Sequence, residues 1–245
     1  MRVGKLDRYR QLKELENVVE PSCHELLAAP SQLSGKWSGD FFKRPGELVL
    51  EIGCGWGDFA LYLARQRQGC NVLGLDIKGA RLWRGARQAL HEKISNVGFI
   101  RVAAEFVDRL FATGELSEIW VTFPTPWLWK PEKMLISPPF LARYRQTLRM
   151  NGVLHLKTDV ESLADYACHI WPMVGFQILE RQQHVTVTAR GDAEGLSRFE
   201  TRAVQSQKPI WHIRAISTSE AVQSVPDDLV RHPWNSIYRT RSGKP

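Results

Sequence analysis

The sequence predicts a doubly wound α/β fold: a mostly parallel sheet of seven strands with an antiparallel edge, in a single domain. Three observations carry that expectation. Short apolar runs alternate with amphipathic stretches from residue 47 onward, the first run ends in a glycine-rich turn, and two longer runs close the pattern after residue 175. Strands separated by helices build a parallel sheet covered on both faces. Such sheets bind ligands at the carboxyl ends of their strands.

The five short runs are ELVLEIG (47–53), NVLGLDI (71–77), NVGFIRV (96–102), EIWVTF (118–123) and GVLHLKT (152–158). Segments 56–67, 78–92, 105–113, 139–149 and 160–172 carry apolar residues at helical spacing and supply the crossovers. Residues 176–188 and 208–216 read as two longer strands, with an exposed loop or linker at 189–204 holding Arg190, Gly191, Asp192, Gly195 and Arg198. Ahead of the sheet, residues 5–16 read as a short basic helix and 21–46 as a connector rich in Pro, Ser and Gly. The organisation expected is an extension (1–46), one domain (47–216) and a C-terminal tail (217–245) whose Pro226, Arg231, Pro233, Arg239 and Arg241 suggest no regular element.

The chain has 245 residues, enough for one sizeable core, and a formal net charge of +7. That charge favours a polyanionic partner, because neutralised phosphates release counterions. Cys23, Cys54, Cys70 and Cys168 are scattered without C-x-x-C spacing, which suits a reducing, cytoplasmic compartment and small buried thiols. The charged N-terminus lacks an apolar signal core, and no apolar run approaches the roughly 18 residues of a membrane span, so neither secretion nor membrane insertion is expected. Histidine and cysteine spacings suggest no metal. Neither G-x-S-x-G nor a Walker A loop is present, which removes support for hydrolase and NTPase chemistry.

The most informative stretch is Leu48-Val-Leu-Glu-Ile-Gly-Cys-Gly-Trp-Gly57, a strand entering a glycine turn with Glu51 two residues before Gly53. Gly53, Gly55 and Gly57 let the chain turn tightly and let a ligand approach the backbone. Their G-x-G-x-G spacing departs from the dinucleotide fingerprint, and a carboxylate beside the turn disfavours a pyrophosphate but tolerates a cation. A sulfonium nucleoside, S-adenosylmethionine, satisfies both conditions. Asp76, 21 residues after Gly55, ends the second strand where a carboxylate accepts ribose hydroxyls, or alternatively caps the next helix. Glu105 stands where an adenine-side contact would lie, or serves the helix dipole.

Phe123-Pro-Thr-Pro-Trp127 resembles the F-P-D-P-W that follows the fourth strand in the bacterial tRNA (guanine-N7-)-methyltransferases. Lys157-Thr-Asp159 is similar to the T-D after that family's fifth strand, and Ser197-Arg-Phe-Glu200 to its T-x-[FY]-E before a late strand. The resemblance runs over residues 47–215. It implies a Rossmann-like methyltransferase that moves the methyl of S-adenosylmethionine to N7 of a guanine in the tRNA variable loop, leaving S-adenosylhomocysteine. It implies that Glu51, the three glycines, Asp76 and Glu105 hold the cofactor. Thr125 and Asp159 would stand at the reacting centre, with Trp127, Lys130, Thr158, Asp159, Ser197, Arg198 and Glu200 on the substrate. The expected unit is a monomer or homodimer acting on tRNA in the cytoplasm.

Two departures are plain. The family's central Asp is Thr125 here, and the basic run after the motif is reduced to Lys130 and Lys133. A threonine can share a hydrogen bond but cannot neutralise charge. Methylation of another RNA or a small molecule therefore stays open, as does a weakly active RNA-binding relative.

Blander readings stand beside several candidates. Trp127 and Trp129 suit a core or interface, Asp159 a cap for the helix near Val160, and Glu200 a surface pair with Arg198 or Arg202. Lys78, Arg81, Arg84 and Arg87 form one basic helix face, either merely solvated or contacting phosphates.

Overall fold

The computed structural model describes residues 3–127, 130–184, 198–219 and 225. Its strands are β1 (Val18–Val19), β2 (Glu47–Ile52), β3 (Cys70–Leu75), β4 (Val97–Ile100), β5 (Leu116–Thr122), β6 (Leu148–Thr158), β7 (Phe176–His184) and β8 (Ile210–Ser217). The helices are α1 (Lys5–Leu12), α2 (Cys23–Ala28), α3 (Asp58–Gln66), α4 (Gly79–His91), α5 (Val107–Leu110), α6 (Pro138–Thr147), α7 (Glu161–Ile170) and α8 (Arg198–Gln205). One sheet runs β1-β4-β3-β2-β5-β6-β8-β7. The first six strands pair in parallel, and β8 lies antiparallel to both β6 and β7.

The doubly wound expectation holds, with eight strands in place of seven. The extra one is β1, where Val18 pairs with Phe99 and Val19 with Ile100. Two residues are too few for an alternating pattern to register, and only the exposed edge of β4 makes them a strand. The connector before β2 also contains structure. Ser22 and Glu25 close a capping box on α2, and fully buried Trp37 donates its indole N–H to the Leu110 carbonyl at 2.9 Å.

Helix boundaries shift where burial outweighs periodicity. Residues 105–113 form only a 3-10 turn (Ala104–Phe106) and α5, because Phe111 turns inward against Trp37, with ring centroids 5.5 Å apart. Within the segment read as a loop, 198–205 is α8; residues 185–197 lie outside the described ones, as does most of the C-terminal tail.

Side chains alternate across β2 in the way a pleated strand requires. Leu48, Leu50 and Ile52 enter a core shared with α5, α6 and α7, whereas Val49 enters a second core with α3 and α4. On that second face Trp120, His155 and His212 stack, the first two rings 3.6 Å apart, and tie β8 to the parallel strands. Burial holds His155 below its ordinary pKa, which suits a neutral stacked ring.

Strand β2 has β3 on one side and β5 on the other, so strand order reverses there. The crevice at that reversal lies beyond the ends of β2 and β5. The glycine turn and Phe123-Pro-Thr-Pro-Trp127 are the two segments that emerge into it.

Candidate active site

Gly53, Gly55 and Gly57 adopt φ of +75°, +58° and +77°, a left-handed region that costs glycine little. They do not share one task. A Cβ on Gly57 would lie 2.5 Å from Phe99, so that glycine brings the start of α3 against β4 and α4. A Cβ on Gly55 would meet nothing within 4 Å, and one on Gly53 only Leu135 at 3.4 Å. These two leave an open cradle where a ligand can meet backbone.

Asp76 is 9 % exposed and fastens this cradle. Its carboxylate accepts the Gly55 N–H at 2.9 Å through Oδ2 and the Lys78 N–H at 2.7 Å through Oδ1. Lys78 is itself the N-cap of α4, so Asp76 shapes the entry to the helix from two residues upstream. A carboxylate has about four acceptor positions, so two remain for further donors.

Glu51 lies beneath the turn, 1 % exposed. Thr122 donates its hydroxyl to Oε1 at 2.6 Å, while Oε2 accepts no hydrogen bond of good geometry among the described residues. Burial pushes the Glu51 carboxyl from 4.5 up to about 7, against the Thr122 bond, with Asp58 and Asp76 adding to the rise. A buried carboxyl beside an open cradle, held by Thr122 and a lesser contact to the Ala60 backbone, fits a cationic ligand group.

A cavity of about 310 Å³ opens above these residues, and Gly53, Asp76, Glu105, Thr125 and Trp127 all line it. Leu75, Val102, Leu135 and Phe140 provide apolar wall, and Lys78, Arg81 and Lys133 bring positive charge. Glu105 sits in the first turn of the 3-10 segment, so its cavity and dipole readings coexist. Phe123, also in the wall, has φ of +47° and donates its N–H to the Lys157 carbonyl at 2.8 Å. A non-glycine residue held there stores about 1–3 kcal/mol, a pattern concentrated at functional loops. Beyond that bend Pro124, Thr125 and Trp127, the last 40 % exposed, line the cavity.

A second group flanks the cavity at the end of β6 without lining it. Thr158 is buried and accepts the Val160 N–H at 3.1 Å, so it, and not Asp159, assists the start of α7. Asp159 lies half-buried, 3.8 Å from the Lys208 ammonium. Glu200 is 7 % exposed and accepts from Lys157 at 3.1 Å, a buried pair in place of the blander reading of a surface pair with Arg198 or Arg202. Arg198 is exposed, pairs with Asp58 at 3.6 Å and stacks over Trp56 at 4.8 Å. Burial raises the Asp58 carboxyl and Arg84 opposes it.

Among the predicted site residues, Lys130 is exposed and outside the cavity, and Ser197, like Trp129, lies outside the described residues. The sequence reading missed Lys133, Phe123 and Arg81 as cavity residues. Lys133 was visible as a remnant of a basic run, but only the turn Pro131–Lys133 returns it to the wall. The four thiols are free, and Cys23 is exposed where a buried thiol was expected, being at the first position of the short surface helix α2. Among the described residues no cluster of acidic, His and Cys side chains could hold a metal, and no helix is long and apolar enough to cross a membrane.

Comparison with known proteins agrees with this arrangement. Residues 45–213 match the model of a family described as "Putative methyltransferase". A tRNA (guanine-N(7)-)-methyltransferase of Christiangramia forsetii is 41 % identical over 216 residues, covering 86 % of this chain and 96 % of the relative. One from Bacteroides fragilis is 40 % identical over 163 residues, covering 66 % of this chain and 65 % of that protein. Among solved structures, a variant of the 16S rRNA (adenine(1408)-N(1))-methyltransferase of Catenulisporales acidiphilia with cosubstrate SAM superposes with a TM-score of 0.56 at 16 % identity, covering 78 % of this chain and 96 % of that one. That likeness concerns the fold. The identity along nearly the whole of the Christiangramia relative decides the family, and the chain belongs to the tRNA (guanine-N(7)-)-methyltransferases.

Proposed function

We propose that this protein methylates N7 of a guanine in the variable loop of tRNA, using S-adenosylmethionine. The observation that supports the reading is that Gly53 of the cradle, Asp76 and the loop residues Phe123, Pro124, Thr125 and Trp127 line one cavity, with Gly55 joined to it through the Asp76 carboxylate. When bound, S-adenosylmethionine supplies a sulfonium methyl, and S-adenosylhomocysteine is the product. Asp76 accepts the ribose hydroxyls, Glu105 meets the adenine side, Gly53 and Gly55 admit the backbone-bound part, and Glu51 faces its cationic end.

Neutral guanine already has a lone pair on N7, so no base is required before the reaction. The protein's task is alignment and water exclusion. Trp127 provides a ring for the base, and stacking of this kind is worth about 1–3 kcal/mol. Thr125 offers a hydroxyl at the reacting end, and Asp159 with Glu200 favours the positive charge that grows on the purine. With threonine where the family has aspartate, that electrostatic help is reduced. The catalytic unit is residues 47–216, working in the cytoplasm as a monomer or homodimer.

The test is incubation with labelled cofactor and unmodified tRNA, followed by borohydride–aniline cleavage at methylated guanines. A single cut in the variable loop is expected, stronger in Thr125→Asp. No cut with either protein would overturn the assignment.

A further inference from the structure

Two tryptophans, one in the glycine turn and one on α4, each hold two guanidinium groups. Trp56 lies under Arg81 at 4.5 Å and Arg198 at 4.8 Å. Trp83 lies under Arg87 at 4.8 Å and Arg8 at 5.2 Å. Arg81, Trp83 and Arg87 belong to α4, Arg8 to α1 and Arg198 to α8, so three helices bring their cations to two rings. The Trp83 indole N–H donates to Gln11 of α1 at 2.9 Å, which fixes the second ring.

The charges here are immobilised without being cancelled. Of these arginines, only Arg198 pairs with a carboxylate among the described residues, that of Asp58, which also faces Arg84. Asp7 on α1 pairs with Arg10 instead. Stacking on a tryptophan holds a guanidinium in place without neutralising it and leaves N–H groups for a ligand, although Arg8 commits its Nε–H to the Val3 carbonyl at 3.2 Å. Helix α4 itself contains no acidic residue. Arg81 also lines the cavity, so the row of cations begins at the site and continues along α4 toward α1. From Arg81 to Arg87 the helix advances about 9 Å and their directions differ by about a third of a turn, so the cations wrap across α4 and can meet more than one phosphate.

We propose that this arginine–tryptophan ladder on α4 and α1 is a preorganised track for the ribose–phosphate backbone of RNA, leading toward the cavity. It rests on the tRNA reading above and adds the surface that grips the molecule away from the reacting base. Its contacts are to phosphate, so it contributes affinity and orientation and no sequence preference.

The test is fluorescence anisotropy of a labelled, unmodified tRNA transcript across a salt series, with calorimetric binding of S-adenosylhomocysteine as the check on folding. The double variant Arg8→Gln with Arg87→Gln should bind the transcript about tenfold more weakly near physiological salt, with a log–log salt slope smaller by about two, and should bind S-adenosylhomocysteine unchanged. Trp83→Leu keeps every charge, and should weaken RNA binding while leaving the slope in place. Unchanged RNA affinity and slope in the double variant would overturn the track even if the protein methylates tRNA. A wild-type protein that binds the transcript through these residues but never methylates it would overturn the function and leave the track standing. No RNA binding by the wild type would overturn both.

Discussion

The carboxylate of Asp76 accepts the backbone N–H of Gly55 at 2.9 Å, joining the turn after β2 to the end of β3. Its other oxygen holds the first peptide of α4. One side chain therefore sets the shape of the cradle before any ligand arrives. Asp76→Ala should weaken S-adenosylhomocysteine binding by about 1–3 kcal/mol, the usual cost of losing a charged hydrogen bond. Isothermal calorimetry reads this directly, and an unaltered dissociation constant would remove Asp76 from the cofactor site.

The glycines of the turn should separate stability from binding. Gly57→Ala forces a methyl to 2.5 Å from Phe99 in a left-handed backbone, and should cost about 2–4 kcal/mol in denaturant unfolding. Gly55→Ala meets no neighbour and should cost only about 1 kcal/mol, while its methyl fills the cradle and reduces cofactor affinity. Equal losses of stability in the two variants would contradict this division.

Glu51 should make folding depend on pH. Its carboxyl sits at about 7 in the folded protein against an ordinary 4.5. A raised acid contributes stability that is complete below about 4.5 and disappears as pH climbs through about 7. Between pH 5 and 8 the wild type should therefore lose on the order of 2–3 kcal/mol relative to Glu51→Gln. A cationic ligand group nearby favours the ionised form, so S-adenosylhomocysteine should bind more tightly above pH 7 and release a proton. Parallel stability curves for the two proteins would show that this group does not titrate there.

The Lys157–Glu200 pair anchors α8 to the end of β6. Glu200→Ala leaves the ammonium largely buried over Phe59, and should lower stability by about 2–3 kcal/mol, less than a fully enclosed pair because Lys157 retains some exposure. Replacing both residues with methionine should recover most of that loss. A double variant no more stable than Glu200→Ala would mean that α8 is held by other contacts.

Much of this molecule was legible in its linear order. The centres of two runs, 72–75 and 119–121, are buried on both sides, and a strand so placed must be apolar there, so β3 and β5 announce themselves. The glycine turn was equally plain, because a left-handed backbone at three alternate positions accepts almost nothing else. For Glu200 the blander alternative was a surface pair with its sequence neighbours Arg198 or Arg202, yet the carboxylate is buried and accepts from Lys157, 43 residues away on β6. Thr158 took the hydrogen bond that seemed to belong to Asp159, a choice made by backbone direction at the end of β6.

The chain's own pattern of apolar runs, glycines and motif residues therefore determined the fold class, the glycine turn and the family. Tertiary structure alone decided that Val18–Val19 extends the sheet, that Gly57 serves packing while Gly53 and Gly55 face open space, and that two tryptophans gather four arginines. The physical reason is range. Periodicity and turn chemistry act between near neighbours and leave their mark in sequence, whereas edge pairing, close packing and cation stacking join residues whose separation along the chain carries no signal.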